Sequence, residues 1–177
     1  MGFTRAFAKA LTNRSSTEEY AAVLNRTLEL FAQNHAEADQ LILEVQSIES
    51  AEHFNAWGAR YTAWQQNGEE GRQLLRQLSQ MPPKDKRLRK FSSGVVIYVN
   101  HKNREITESF NMFLRTMNED YRGANQAKIE AEKAERGAYE ALDFTYRQLL
   151  DLKQNHPQLL EELHLPSWLL ELSKQEE

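Results

Sequence analysis

"MPPKDKRLRKFSSGVVIYVN", residues 81–100, decides how this chain folds. Pro82 and Pro83 lack backbone N–H groups, and their rings crowd the preceding turn, so no helix runs through them. The residues before the pair and those after it both carry helical periodicity. The prolines therefore mark a reversal between two helical segments.

The first segment opens at "SSTEEY". Ser16 stands as an N-cap with Glu19 three residues on, a capping-box spacing. Apolar or small residues then recur in three–four steps: Tyr20, Leu24, Leu28, Phe31, His35, Ala38, Ile42, Val45 and Ile48. Phe54, Trp57, Tyr61 and Trp64 keep the beat, and Leu75 and Leu78 end it. The second segment runs from Phe91, Val95 and Tyr98 through Ile106, Phe110, Phe113 and Met117. It thins into alanines 124, 131, 134 and 138 and closes near Leu149 and Leu152. The β-branched run "GVVIYV" lies in phase with this stripe, so helix is favoured over a short strand.

The spacing predicts an all-α protein: a long antiparallel helical hairpin, or an elongated, coiled-coil-like helical bundle. A short N-terminal amphipathic helix and short C-terminal helices flank it. Residues 1–15 form the N-terminal segment, 16–154 the hairpin or bundle, and 155–177 a short-helix tail. In the hairpin form, helices over about 16–80 and 88–154 would each be about 95–100 Å long. Trp64 would then sit near Ile106, Tyr61 near Phe110, Trp57 near Phe113 and Leu114, and Phe54 near Met117. The small-residue stretch 123–141 would face residues 30–48. The alternative breaks the first helix near Ser50 or Asn67 and gives a more compact bundle.

Composition bounds the chemistry. The chain has 177 residues, 27% of them charged, a net charge of −4 and no cysteine. Disulfides, thiolate zinc sites and cysteine nucleophiles are therefore excluded. No window is apolar for long enough to span a bilayer, and the N-terminus lacks the apolar core of a secretory signal. No phosphate-binding loop, nucleophile elbow or zinc-protease motif occurs. One Glu-x-x-His, Glu161 with His164, falls short of the two that a di-iron carboxylate bundle needs. We expect no enzyme activity, no cofactor and no metal.

Charge is uneven along the chain. Residues 1–15 carry Arg5, Lys9 and Arg14 without a carboxylate. Residues 84–90 carry Lys84, Lys86, Arg87, Arg89 and Lys90 against Asp85 alone. The tail is acidic. Phe3, Phe7 and Leu11 share one helical face at the N-terminus, a pattern suited to a membrane interface. With Lys84, Lys86, Arg87, Arg89 and Lys90 they make the candidate membrane or partner surface. Trp168, Leu169 and Leu172 make a candidate partner-binding tail, or a tail that docks on the bundle.

The function expected is that of a non-enzymatic helical scaffold or adaptor, cytoplasmic, self-associating as a homodimer and binding a protein partner. The alternative is a peripheral membrane protein holding anionic lipid with the N-terminal helix and the basic turn. Nucleic acid is a poor fit, because no base-reading motif accompanies the charge. In an unbroken hairpin the two basic islands would lie at opposite ends, which ranks the membrane reading second.

Overall fold

The structure, a computed structural model, describes residues 17–45, 47–163, 165 and 169. Among these residues, five helices follow one another: α1 (Thr17–Val45), α2 (Ala51–Gln80), α3 (Lys86–Met117), α4 (Tyr121–Asn155) and the short α5 (Pro157–Leu163). Among the described residues there is no strand, and the chain is an all-α helical bundle as expected.

Neither expected long helix is continuous. The first folds back after Val45 and the second after Met117, so each becomes a hairpin. Ser50 caps α2 with extended backbone, its hydroxyl accepting from His53 N at 3.2 Å. The chain breaks at Ser50 and runs as helix through Asn67. At the other fold Glu119 adopts φ 59, the left-handed conformation. Glu119 N donates to Thr116 O (3.1 Å) and Asp120 N to Arg115 O (2.9 Å). This pair of bonds is the Schellman arrangement that satisfies the last carbonyls of a helix. Asp120 then caps α4 by accepting from Gly123 N at 2.9 Å, so α3 stops and α4 starts within three residues.

The middle reversal falls where the prolines place it. Asp85 caps α3, accepting from Arg87 N at 2.7 Å and Leu88 N at 3.4 Å. Residues 94–99 are helical, in line with their periodicity.

The four long helices alternate in direction. α3 and α4 pack along their lengths, α1 pairs with α2, and α5 sits against α1 and α4. The small residues of α4 face α3 rather than α1, which corrects the expected pairing of 123–141 with 30–48. Ala124, Ala127, Ala134, Ala138, Ala141 and Thr145 are buried. A methyl on Gly94 would overlap Phe144 and Thr145, and one on Gly137 would overlap His101. Small side chains let the two backbones approach, and each close pair buries apolar surface that longer side chains would hold apart.

The hairpins meet through aromatic rings. Phe31 of α1 meets Tyr98 of α3 edge-on at 5.8 Å. Phe110 of α3 lies 5.1 Å from Tyr61 and 4.8 Å from Trp64 of α2, and Phe113 lies 6.3 Å from Trp57. The expected pairing of Tyr61 with Phe110 and of Trp57 with Phe113 is therefore present. It needs only the turn at 81–85, not continuous long helices. Trp57 Nε1 donates to Leu41 O (2.9 Å) and Trp64 Nε1 to Asn34 O (3.0 Å), fixing α2 on α1. Trp57, Phe110, Tyr61 and Trp64, with Ala38, Leu41 and Ile106, form one core cluster. A larger one joins Tyr20, Leu24, Leu28, Leu75, Leu78, Leu88, Phe91, Leu149, Leu152, Leu163, Leu165 and Leu169.

Candidate functional site

Folding each long helix once changes which ends coincide. Tyr20, one turn into α1, shares a core cluster with Leu88 and Phe91 at the start of α3. Burial raises the Tyr20 phenol to about 12, partly offset by its hydrogen bond with the Ser92 hydroxyl. Tyr20 also lines a groove of about 340 Å³ with Pro82, Pro83 and Arg89. Residues 1–16 are thus joined to the end of the bundle that carries Lys84–Lys90. The opposite-ends geometry of an unbroken hairpin does not hold.

The basic cluster occupies the linker and first turn of α3. Lys84, Lys86, Arg87, Arg89 and Lys90 are all exposed. Among the described residues, Arg87 alone of these five meets a carboxylate: its Nη2 lies 2.8 Å from Asp85 Oδ2. That guanidinium, with bonds from the backbone N–H groups of Arg87 and Leu88, holds the Asp85 carboxyl well below the usual range. Arg87 Nη1 also lies 2.7 Å from His156 Nε2, bringing the α4–α5 junction onto the same turn. Arg89 donates through Nη2 to Pro83 O at 3.1 Å, a neutral acceptor that leaves its charge uncompensated.

Elsewhere much of the positive charge is paired. Arg26 faces Glu70, Arg60 faces Glu37 and Glu44, Arg104 faces Glu130 and Arg147 faces Asp143. Arg60 is the most heavily engaged, and its hydrogen bonds to Glu44 and Glu37 raise its pKa further. Lys84, Lys86, Arg89 and Lys90 make no such contact with the described residues, so the cluster concentrates exposed positive charge on one end.

The opposite end has a different character. Leu43 is 68% exposed, Met117 54% and Tyr121 68%, and Phe54 is also exposed. All four lie within a few residues of the two turns at 46–50 and 118–120. Sequence reading placed Phe54 and Met117 in the core. They are exposed because the bundle's cross-section ends where the chain reverses, leaving no facing helix beyond.

Of the remaining expected residues, Leu169 is 2% exposed and belongs to the large core cluster, as does Leu165. Phe3, Phe7, Leu11, Trp168 and Leu172 lie outside the described residues, as do the Ser16 cap and His164. Among the described residues no group of three or more His, Asp or Glu is placed to hold a metal ion. No described helix is long and apolar enough to cross a membrane. Comparison of the chain with protein-family models, with curated proteins and with solved structures finds no match.

Proposed function

We propose that the protein is a non-enzymatic helical adaptor whose basic end binds the surface of an anionic membrane. The observation that carries this reading is the convergence at that end: Tyr20 and Arg89 line one groove, so α1 begins at the end of the bundle that carries the 84–90 cluster. The N-terminal segment offers Phe3, Phe7 and Leu11 to the interface, and the cluster offers Lys84, Lys86, Arg89 and Lys90 to headgroups. Each basic residue near an anionic surface contributes about 1 kcal/mol, so about four of them suffice for reversible attachment. A short apolar face alone holds weakly, which is why two signals serve better than one.

Co-sedimentation with vesicles containing phosphatidylserine tests this. The expected result is binding at low salt that weakens as ionic strength rises. It should be lost in the Lys84→Gln, Lys86→Gln, Arg89→Gln, Lys90→Gln variant with the melt unchanged. Absence of wild-type binding at low salt refutes the reading. Binding to duplex nucleic acid in place of vesicles would transfer the same basic end to a phosphate backbone.

The exposed Leu43, Phe54, Met117 and Tyr121 favour a second, compatible role for the other end: self-association with another copy of the chain. Light scattering should then give a dimer, and Leu43→Ser with Tyr121→Ser a monomer.

A further inference from the structure

The geometry points to the groove beside the central reversal as a binding site for a single-chain anionic amphiphile, a fatty carboxylate whose head meets Arg89. The site shares Arg89 with the membrane reading but does not rest on it, because its ligand is a dissolved molecule rather than a surface.

Arg89, Ser92, Ser93, Val96 and Ile97 fall at i, i+3, i+4, i+7 and i+8, one stripe of α3. This stripe lines a groove of about 340 Å³, together with Tyr20 of α1, the end of α2 at Leu78 and Ser79, and Pro82 and Pro83. The volume falls at the lower end of the range for ligand pockets, about 300–1,000 Å³. Leu78 is 3% exposed and Ile97 48%, so a closed apolar interior runs out to an apolar surface that no described residue covers.

Hydrogen-bond donors in this groove are spent. Ser79, Ser92 and Ser93 each give their one hydroxyl hydrogen back to their own helix, at Leu75 O (2.9 Å), Leu88 O (2.6 Å) and Arg89 O (2.8 Å). Ser92 then has only acceptor capacity for Tyr20, so the phenol is the donor in their bond. Pro82 and Pro83 have no N–H. Arg89 is the exception. Its Nε and Nη2 donate to Pro83 O at 3.3 and 3.1 Å, which holds the guanidinium beside the groove and leaves Nη1 without a partner among the described residues.

A trough with an apolar lining and one anchored cation suits a ligand with an apolar chain and one anion. Asp85, the carboxylate nearest in sequence, is bonded to Arg87 and to the α3 cap. Lys86, one turn before Arg89, adds positive potential at the same end. From Arg89 to Ile97 the helix rises about 12 Å. An extended chain of about ten carbons covers that distance, since each C–C bond of about 1.5 Å advances a zigzag by somewhat less than its length.

Calorimetric titration of the full chain with hexanoate, octanoate and decanoate tests this, each below its micelle concentration and without vesicles. Affinity should rise about two- to fourfold per added methylene, fourfold being complete burial. Arg89→Gln should weaken octanoate about tenfold and leave 1-octanol unchanged. Ile97→Gln, at an exposed position, should flatten the chain-length series while melting as wild type does. Affinity that is flat with chain length in wild type marks a bare anion contact and overturns the proposal. So does decanoate binding that neither substitution alters. No binding by a chain that light scattering shows to be a dimer, and that Ile97→Gln makes a monomer, gives the groove to a second copy and overturns it too. Decanoate bound in this pattern by a chain that ignores phosphatidylserine vesicles leaves the site standing and the membrane reading refuted.

Discussion

Gly94 of α3 lies so close to Thr145 of α4 that a methyl group on it would overlap the Thr145 hydroxyl, itself bonded to Ala141 O at 2.6 Å. The neighbouring Phe144 ring would be 2.9 Å from the same methyl. Intrinsic helix propensity favours Ala over Gly by about 1 kcal/mol. Overpacking a close helix–helix seam costs about 1–3 kcal/mol. Gly94→Ala should therefore destabilise the protein, and the sign of the change in a urea melt decides which effect wins.

Glu119 makes the opposite case. It holds φ 59 in the α3–α4 turn, where glycine adopts the conformation without a side-chain penalty. Glu119→Gly should stabilise the protein by about 0.5–1 kcal/mol, because relief of the left-handed strain outweighs the added freedom of the unfolded chain. A lower denaturation midpoint would show that the Glu119 side chain supplies more than the strain removes.

Tyr20 gives the chain a defined alkaline limit. Burial pushes its phenol up from the ordinary 10.0 to about 12 in the folded chain. A raised folded pKa means that its share of stability is full below pH 10 and drains away as the pH climbs through 12. Tyr20→Phe keeps the buried ring and removes the titration. The variant should lose about 1 kcal/mol at pH 7 for the missing bond with Ser92, and its stability should fall less steeply than wild type between pH 10 and 12. Parallel pH profiles would mean that another group sets the alkaline limit.

Phe110 is 1% exposed and meets Trp57, Tyr61 and Trp64. Phe110→Ala should cost about 3–5 kcal/mol. Because this ring joins the two hairpins, tryptophan fluorescence should shift with the same midpoint as loss of helicity. A fluorescence change well before helix loss would show the hairpins parting first.

Asp85→Ala removes a helix cap and should cost about 1 kcal/mol by thermal melt. The folded Asp85 carboxyl titrates below its unfolded value, so its stabilisation is complete above pH 4 and is lost as the pH falls. Wild type and variant should converge in stability at strongly acidic pH. The variant should also bind anionic vesicles more tightly, since the only carboxylate in the cluster is gone.

Much of this architecture was legible in the residues. Periodicity marks every long helix, Pro82 and Pro83 place the central reversal, and the aromatic register across it follows from that reversal alone. The folds at 46–50 and 118–120 were harder to see. Ser50 signals a cap, but Ile42, Val45, Ile48 and Phe54 keep helical phase straight across the break. At 118–120 the left-handed position holds glutamate where glycine would have announced a stop, and the bonds that end α3 are made by backbone groups, which leave no trace in side-chain pattern. The grouping of basic residues turns on the same point. Of the two forms open to the first segment, the break near Ser50 is the one present, and that single reversal moves the start of α1 to the end of the bundle that carries 84–90, so a local choice about a turn decides which charges are neighbours.

The doubling of each long segment also bears on how the chain finds its fold. Within α1–α2 and within α3–α4, touching residues are joined by short reversals, so loop closure costs little and each pair can zip from its turn. Tyr20 and Leu163, by contrast, share a core cluster from opposite ends of the described chain. Bringing them together requires both hairpins to be docked already. Substitutions in the Gly94–Thr145 seam should accordingly slow refolding, whereas truncating Leu163 should chiefly hasten unfolding.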